Sequence, residues 1–531
     1  MKYVDYLCLT PKDQILFKIN TYFKNFGYNF CHFWVRLGLW FLNFFKKIGR
    51  CFKNLGYAFK NGDIYTKISF IFLGVSHIRR GQITKGIIYL AVEALFIYYM
   101  VMFGASAIVG FCTLGTLNQG YACSGTDNLF NIDFGVAIED IRFQSSSAAN
   151  TFCQLYTGSG YTVIAGDRSP IMLLFGILAI ALLVIFICFY VSTVNASIKV
   201  QEMADDRIHL NNFVEDMKDY LDGKFYRVLL FLPVLGICIF TLLPIIDMIL
   251  MAFTNYDLNH QEPKLFDWVG LDNFVRLFTQ TGSGSFGYTF WHVLGWTLIW
   301  AFFATFINYF LGMFVAMIIN KKGIRFKGLW RTLLVLSIAI PQFVSLMAIN
   351  KFTTTGGLVE GIMMAMGILQ NGETITIWTN PTSARFWIIV INIWIGIPYT
   401  VLTVTGILMN IPDDLYESAQ MDGTGVFRTY FRITLPYVIF VTGPSLISTF
   451  VGNINNFNVI FFLSGGGPKT LEYMSAGKTD LLVTWLYTLT VNQNNYSMGS
   501  VIGILVFVVC AIISLIVFRH TSGYKNEEAF A

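Results

Sequence analysis

A polar island interrupts the apolar C-terminal half of the chain: Tyr416-Glu417-Ser418-Ala419-Gln420-Met421-Asp422-Gly423 and, nine residues later, Ile433-Thr434-Leu435-Pro436. Long apolar segments flank this island on both sides. A segment buried in lipid has no use for so many polar groups, because each would lose its hydration. We therefore predict that the island meets a soluble partner at one face of a membrane.

The composition is typical of a polytopic membrane protein. Of the 531 residues, 55% are hydrophobic and only 13% are charged, whereas soluble domains carry about 25% charged residues. The net charge of +5 does not indicate nucleic-acid binding. An all-α fold is expected, because backbone polar groups in lipid must be satisfied within each spanning segment.

Eight segments are long and apolar enough to span a bilayer, which takes about 20 residues. They are approximately 86–112, 171–194, 228–253, 290–319, 329–349, 386–409, 437–463 and 500–518. With the N-terminus inside, 28 of the 36 Lys and Arg residues are cytoplasmic and 8 lie in the outer loops. Cytoplasmic loops are enriched in these residues, so both termini are expected in the cytoplasm.

The sequence predicts four regions. They are a cytoplasmic or interfacial amphipathic region at 1–82, two accessory spans at 83–227, a six-span core at 228–520 and a cytoplasmic tail at 521–531. The accessory region has an outer loop at 113–170 and an acidic cytoplasmic loop at 195–227. Cys123 and Cys153 share the outer loop and can form a disulfide or remain free. The aromatic and basic pattern at 30–53 favours a membrane-surface helix.

No catalytic, metal-binding or nucleotide-binding pattern is found. A phosphate-binding loop needs G-x-x-x-x-G-K-[ST]. Gly477-Lys478-Thr479 provides its last three residues, but Glu472 stands at the position of the first glycine. The cysteines and histidines lack metal-ligand spacing. We expect no cofactor on this chain, so any ATP must be bound by another chain.

Asparagines stand inside the seventh predicted span. Thr449, Gly452, Asn453 and Asn456 follow i, i+3, i+4 and i+7, which predicts one shared helical face. Amides are costly in hydrocarbon unless they face a cavity or another helix. Because an amide both donates and accepts without charge, such a face suits the hydroxyls of a sugar. The alternative is hydrogen bonding between helices.

The span before the island contains Gly396-Ile397-Pro398-Tyr399. Proline removes a helical hydrogen bond and glycine lowers helix stability, so an interrupted helix beside a polar cavity is expected. A kink caused by packing is the alternative. A similar break is expected at Pro341.

The island itself predicts two short helices. Asp413 and Asp414 favour a helix N-terminus, Gly423 allows a turn, and residues 426–433 begin a second helix that Leu435-Pro436 ends at the membrane. Such a protrusion suits insertion into a groove of a soluble partner. An ordinary connecting loop is the alternative.

The island resembles the EAA loop of importer permeases in the ATP-binding-cassette superfamily. Its residues fit the pattern E-x-A-x-x-D-G, nine residues, I-x-L-P, with Ser418 at a family alanine. Other segments resemble the carbohydrate-uptake branch and its larger, MalF-like permease. They are Phe253-Thr254-Asn255-Tyr256-Asp257, Val269-Gly270-Leu271-Asp272-Asn273-Phe274, Asn455-Asn456-Phe457 and Gly465-Gly466-Gly467-Pro468.

This resemblance implies a permease that moves maltose, maltodextrin or another oligosaccharide by alternating access in the cell membrane. It implies a second permease subunit (MalG-like), an extracytoplasmic sugar-binding protein and two cytoplasmic ATPase subunits (MalK-like) that hold ATP and Mg. The implied ATPase-coupling residues are Glu417, Ser418, Ala419, Asp422, Gly423, Ile433, Leu435 and Pro436. The implied sugar-binding residues are Ile395, Gly396, Tyr399, Thr449, Gly452, Asn453 and Asn456.

Three alternatives remain open. An ion-coupled secondary transporter would use a buried acid, but Glu93 and Asp247 favour structural roles over proton relay. A membrane enzyme would need clustered carboxylates or a metal motif, which the sequence lacks. A permease of the same kind could also carry a glycan or sugar derivative other than maltose.

Overall fold

Spanning helices dominate the structure. The computed structural model describes residues 53–117, 120–123, 130–131, 136–137, 146–156, 160–164, 166–261, 264–321, 324–370 and 373–520, with a few positions between 35 and 50. Within these ranges seven helices are long and apolar enough to cross a membrane, or eight when one bent pair counts as a single span. The expected all-α membrane fold is confirmed. Most of the pattern at 30–53 and the tail at 521–531 lie outside the described residues.

Eleven helices matter for the function. They are α1 (Ile83–Thr113), α2 (Ser169–Asp205), α3 (Phe225–Met251), α4 (Phe286–Asn320), α5 (Lys327–Ala339), α6 (Gln342–Thr353), α7 (Pro381–Leu408), α8 (Asp413–Met421), α9 (Leu435–Ile454), α10 (Phe457–Leu463) and α11 (Tyr496–His520). Shorter helices are Ile64–Ile68, Val75–Arg79, Ser146–Tyr156, Phe213–Leu221, Asp272–Thr279, Leu358–Ala365, Val426–Thr429 and Leu482–Tyr487.

The outer loop contains short strands that the sequence did not predict. β1 (Gly120–Cys123) pairs antiparallel with β4 (Tyr161–Ile164), and β2 (Phe130–Asn131) pairs with β3 (Val136–Ala137). Cys123 forms a disulfide with Cys153 of the helix Ser146–Tyr156. The question that the sequence left open is therefore answered in favour of the disulfide.

The chain divides into two compact units. The described parts of Met1–Cys112 and Ile171–Leu243 form the first unit, in which the segment before α1 is held by polar contacts. Glu93 is buried and accepts a hydrogen bond of 2.7 Å from the backbone N–H of Leu73. This contact fits the structural role expected for Glu93.

A buried histidine stands in the same segment. His77 is only 2% exposed. Its pKa is lowered to about 4, first by burial, which disfavours the charged ring, and then by the positive charges of Lys85 and Arg80. His77 is therefore neutral at physiological pH.

Helix α4 is central to the second unit, which comprises Thr113–Pro170 and Pro244–Ala531. Ser285 caps its N-terminus, where the serine hydroxyl accepts the Tyr288 N–H at 3.3 Å. The helix contributes side chains to three apolar clusters formed by the described residues of this unit. Trp300, in its middle, is fully buried. The long helix therefore forms a wall against which the other spans pack.

Two glycines bring α4 and α7 close together. A Cβ atom on Gly312 of α4 would lie 2.5 Å from Cβ of Thr400, and one on Gly396 of α7 would lie 2.4 Å from Nδ2 of Asn308. Real Cβ atoms are not found at such distances, so a larger residue would push the helices apart.

The expected interruption of α7 is wrong, whereas the break near Pro341 is confirmed. α7 is one helix from Pro381 to Leu408 with Pro398 inside it. Proline removes only one helical hydrogen bond, and the small Gly396 serves helix packing instead. Between α5 and α6, by contrast, the chain bends by 86°.

Candidate functional site

A polar cavity of about 270 Å³ lies between α4, α7 and α9, and Gln342 of α6 and Asn456 before α10 also line it. Six of the seven residues expected to bind sugar line it: Ile395, Gly396, Tyr399, Thr449, Asn453 and Asn456. Gly452 does not line it, and a Cβ there would meet nothing within 4 Å. The structure thus brings together residues from two helices that stand on either side of the island in sequence.

Two hydrogen bonds fix Asn453 in the wall of this cavity. Its Nδ2 donates to Oγ1 of Thr305 at 2.9 Å, and its backbone carbonyl accepts from Nε1 of Trp300 at 3.1 Å. Both partners belong to α4. The amide is therefore held in one orientation before any ligand arrives.

The predicted shared helical face is wrong for Asn456. Helix α9 ends at Ile454, and Asn456 is the N-cap of α10, where its Oδ1 accepts from the Val459 N–H at 3.2 Å. Asparagine side chains compete with backbone groups and favour such caps over helix interiors. The break still places Asn456 against Asn453, with Nδ2 donating to Oδ1 at 3.4 Å.

The cavity also contains polar residues that sequence reasoning missed. Asn308 of α4, Asn392 of α7 and Gln342 of α6 line it. Among the described residues, Asn308 Oδ1 and Asn392 Nδ2 have no hydrogen-bond partner. The two lining residues thus leave one acceptor and one donor unpaired, the two functions that a hydroxyl group combines. The signal for them was an amide within an apolar span.

The cavity is uncharged. No Asp, Glu, Lys, Arg or His lines it within the described part of the chain. Hydroxyl and amide groups dominate its polar surface, and Tyr309 OH and Thr442 Oγ1 lie 2.7 Å apart. Such a surface suits a neutral, many-hydroxyl ligand.

The island forms an exposed helix and a tight turn. Helix α8 exposes Glu417 and Ser418 and buries Ala419. Asp422, in the turn that follows α8, is also exposed. Gly423 has a φ of +67°, which a glycine adopts without strain. Met421 and Phe427 are 89% and 80% exposed. Large exposed apolar side chains close in sequence to exposed carboxylates are typical of a protein-binding surface.

A correction concerns the second island helix, which Leu435-Pro436 was expected to end. The helix Val426–Thr429 instead continues through a π-helical turn, Tyr430–Thr434, into α9. Pro436 lies directly after this π-helical turn, and the helix continues past it although proline lacks the N–H for one helical hydrogen bond. Ile433 lies in the wide turn, so the island is joined to the asparagine-bearing helix without a break.

The partial nucleotide motif has another role. Lys478 pairs with Glu472, the residue at the first glycine position, and Lys478 also lies 3.9 Å from the centre of the Tyr473 ring. The hydrogen bond from Lys478 lowers the pKa of Glu472. The lysine is thus engaged within its own loop.

The geometry can be compared with known proteins. A family model described as the inner membrane component of binding-protein-dependent transport systems matches residues 308–522. The chain is 30% identical over 462 residues to the maltodextrin transport system permease protein MdxF of Bacillus subtilis (strain 168), which spans 86% of this chain and 95% of that protein.

Two further comparisons follow. The galactooligosaccharides transport system permease protein GanP of the same organism is 35% identical over 370 residues, 69% of this chain and 86% of that protein. A solved bacterial ABC transporter involved in the import of the acidic polysaccharide alginate has a TM-score of 0.46 at 23% identity, over 57% of this chain and 97% of that chain. Since the match to MdxF covers nearly all of that relative, this chain belongs to the family of inner membrane components of binding-protein-dependent transport systems.

Proposed function

We propose that this chain is the permease subunit of an ATP-driven importer and moves a neutral oligosaccharide, of the maltodextrin kind, into the cytoplasm. The observation that carries the proposal is the uncharged, amide-lined cavity, in which Asn453 is held on α4 and two other lining residues, Asn308 and Asn392, each leave one amide atom unpaired. The printed functions of the relatives, maltodextrin and galactooligosaccharide transport, support this substrate class.

The mechanism follows from the continuity between the island and the cavity. Glu417 and Gly423 lie at an exposed surface that suits an ATPase subunit, and the same stretch of chain leads through the π-helical turn into α9. A rigid-body motion imposed on the island would therefore move the cavity wall, which is how alternating access opens a site to one side and then to the other.

The partners belong to the same proposal. A second permease subunit, two ATPase subunits carrying ATP and Mg, and an extracytoplasmic sugar-binding protein would complete the importer. Both termini would be cytoplasmic, and this chain would catalyse no reaction. The excess of Lys and Arg in the segments on that side of the membrane supports the orientation.

Reconstitution of the complete transporter tests the proposal. Glu417→Lys is expected to abolish sugar-stimulated ATP hydrolysis, because it reverses a charge on the coupling surface, while the variant remains folded. Asp414→Lys, on the same exposed helix one turn earlier, is the matched control. Equal and normal hydrolysis in both variants would refute the coupling role.

A second pair of variants tests the cavity. Asn453→Leu with Asn456→Leu should lower sugar uptake strongly and leave binding of the ATPase subunits intact, because the change is far from the island. Uptake that continues after ATP is withheld, and stops when an ion gradient is collapsed, would favour the secondary-transporter alternative instead.

A further inference from the structure

A larger, mainly apolar cavity of about 730 Å³ is lined by the end of α4, by α5, by the start of α6 and by the middle of α7. Its lining includes Ile319 of α4, Leu333 and Leu334 of α5, and Ile397 of α7. The hydroxyl of Ser337, which also lines it, already donates to the Leu334 carbonyl at 2.6 Å. Hydrocarbon beside α5 would therefore not leave this hydroxyl unpaired, a loss that burial of polar groups otherwise brings.

The apolar cavity is as deep as one leaflet of a membrane. Along α5 its lining runs from Trp330 to Ile340. This distance is about ten residues, or about 15 Å at 1.5 Å per residue. The hydrocarbon core of a bilayer is about 30 Å thick, so one leaflet contributes about half of it. The length of the cavity therefore matches the acyl chain of a phospholipid.

A basic segment, residues 320–331, joins α4 to α5 at one end of the apolar cavity. Ile324 and Trp330 of this segment line the cavity. The segment contains no Asp or Glu and five basic residues: Lys321, Lys322, Arg325, Lys327 and Arg331. In the part of the chain that the structure describes, no carboxylate forms an ion pair with Lys321, Arg325, Lys327 or Arg331. The end of the cavity thus carries positive charge that an anion could pair with.

Hydrogen bonds fix two of these cations beside the end of α4. Nη2 of Arg331 donates to Oδ1 of Asn320, and Nζ of Lys327 donates to the Asn320 carbonyl at 3.3 Å. Nδ2 of Asn320 in turn donates to Oγ1 of Thr405 at 3.0 Å, close to the end of α7 that leads into the island. The basic segment therefore lies on the same face of the membrane as the island.

We propose that the apolar cavity and the basic segment together bind one anionic phospholipid of the phosphatidylglycerol class, from the leaflet on the side of the island. An acyl chain lies between α5 and α7, and the phosphate lies against the basic segment. Basic clusters beside spanning helices attract anionic head groups, and Lys and Arg bind phosphate through charge-assisted hydrogen bonds. This inference goes beyond the proposed function, because it holds for any transported sugar.

The test measures lipid binding to the full-length chain by native mass spectrometry in detergent. Dioleoyl phosphatidylglycerol is titrated, and dioleoyl phosphatidylcholine, with the same acyl chains and no net charge, is the reference lipid. Lys321→Gln with Arg325→Gln removes two exposed cations whose side chains make no described hydrogen bond. Lys199→Gln with Arg207→Gln removes two exposed cations at the end of α2 and is the matched control.

We expect the wild-type chain to bind phosphatidylglycerol in preference to phosphatidylcholine. A Lys or Arg near an anionic membrane surface contributes about 1 kcal/mol, or about fivefold in affinity. Lys321→Gln with Arg325→Gln should therefore weaken phosphatidylglycerol binding roughly 25-fold and leave phosphatidylcholine binding unchanged, and the control pair should behave as the wild type. Equal binding of the two lipids by the wild type, or equal losses in the two double variants, would overturn the inference.

A second comparison tests the acyl chain. Leu333→Trp places an indole in the apolar cavity, whereas Leu336→Trp changes an exposed residue of α5 that does not line it. Overpacking should weaken phosphatidylglycerol binding by Leu333→Trp roughly tenfold. Leu336→Trp should bind as the wild type, and the melting temperatures of the two variants should agree. Unchanged binding in Leu333→Trp would overturn the inference.

Two further measurements identify other occupants. Glycerophosphoglycerol, the head group without acyl chains, should not displace the lipid; displacement would assign the basic segment to a soluble anion and overturn the inference. The lipid should also stay bound when the chain is assembled with its partner subunits. Loss on assembly would overturn the inference as well, because another subunit would then cover the cavity. A failure of sugar transport would alter none of these measurements, so it is distinguishable from a failure of the lipid site.

Discussion

The contact between Gly312 and Thr400 gives a quantitative test of how α4 and α7 form the cavity wall. In Gly312→Ala the new Cβ would lie 2.5 Å from Cβ and 2.7 Å from Cγ2 of Thr400. Neither atom is the far end of a flexible chain, so the helices themselves must separate. Overpacking of this kind costs about 1–3 kcal/mol.

Gly295→Ala on the same helix is the control. A Cβ at Gly295 meets nothing within 4 Å, so this variant should only gain the helix preference of alanine, roughly 0.5–1 kcal/mol. The difference between the two variants therefore isolates the clash. We expect Gly312→Ala to be about 1–3 kcal/mol less stable than Gly295→Ala.

The assay is the free energy of unfolding in mixed micelles, measured by titration with SDS and followed by tryptophan fluorescence. A double-mutant cycle with Thr400→Gly adds a stricter criterion, because removal of the opposing Cβ should recover most of the lost stability. Equal stability of the two alanine variants, or no recovery in the double variant, would refute the close approach of the helices.

Three further predictions follow from local contacts. Since the pKa of His77 is lowered to about 4 from 6.5, the neutral ring contributes roughly 3 kcal/mol to folding stability above pH 6.5, and this contribution is lost as the pH falls towards 4. The hydrogen-exchange protection factors of 63–82, corrected for the pH dependence of the intrinsic exchange rate, should fall with acid in the wild type but not in His77→Phe. Gly423→Ala should lower the free energy of unfolding by about 1–2 kcal/mol, because Gly423 has a positive φ, and it should weaken co-purification of the ATPase. Gly425→Ala should change neither quantity. Equal co-purification of the ATPase with both variants would contradict this prediction. Glu93→Leu leaves the buried N–H of Leu73 without its acceptor and should lower thermal stability by about 1–3 kcal/mol, whereas Glu93→Gln should retain most of it.

Hydropathy was sufficient to predict the spans, because lipid forces every backbone group into a helix. Hydropathy was not sufficient to predict where a spanning helix is interrupted. Pro398 and the asparagines looked alike as interruptions, yet α7 continues through Pro398 and α9 stops at Ile454. The difference lies in tertiary contacts: Gly396 packs on Asn308, whereas Asn456 caps a new helix.

The candidate cavity was predictable only on the helices adjoining the island. Thr449, Asn453 and Tyr399 stood near a recognisable motif. Asn308 and Gln342 stand on helices that no local pattern links to it, and only the packing of α4 and α6 places them there. The outer strands were missed for another reason, since segments of two to four residues are too short to show alternation.

The π-helical turn has a mechanical consequence. From Val426 to Asn453 the chain is helical without interruption, which at 1.5 Å per residue makes an arm about 40 Å long. A tilt of about 5° at the island end would displace the far end by roughly 3 Å, the length of one hydrogen bond. Such a tilt would be enough to break the hydrogen bond between Asn453 and Thr305, so the length of the arm lets a small motion at the island change the state of the cavity.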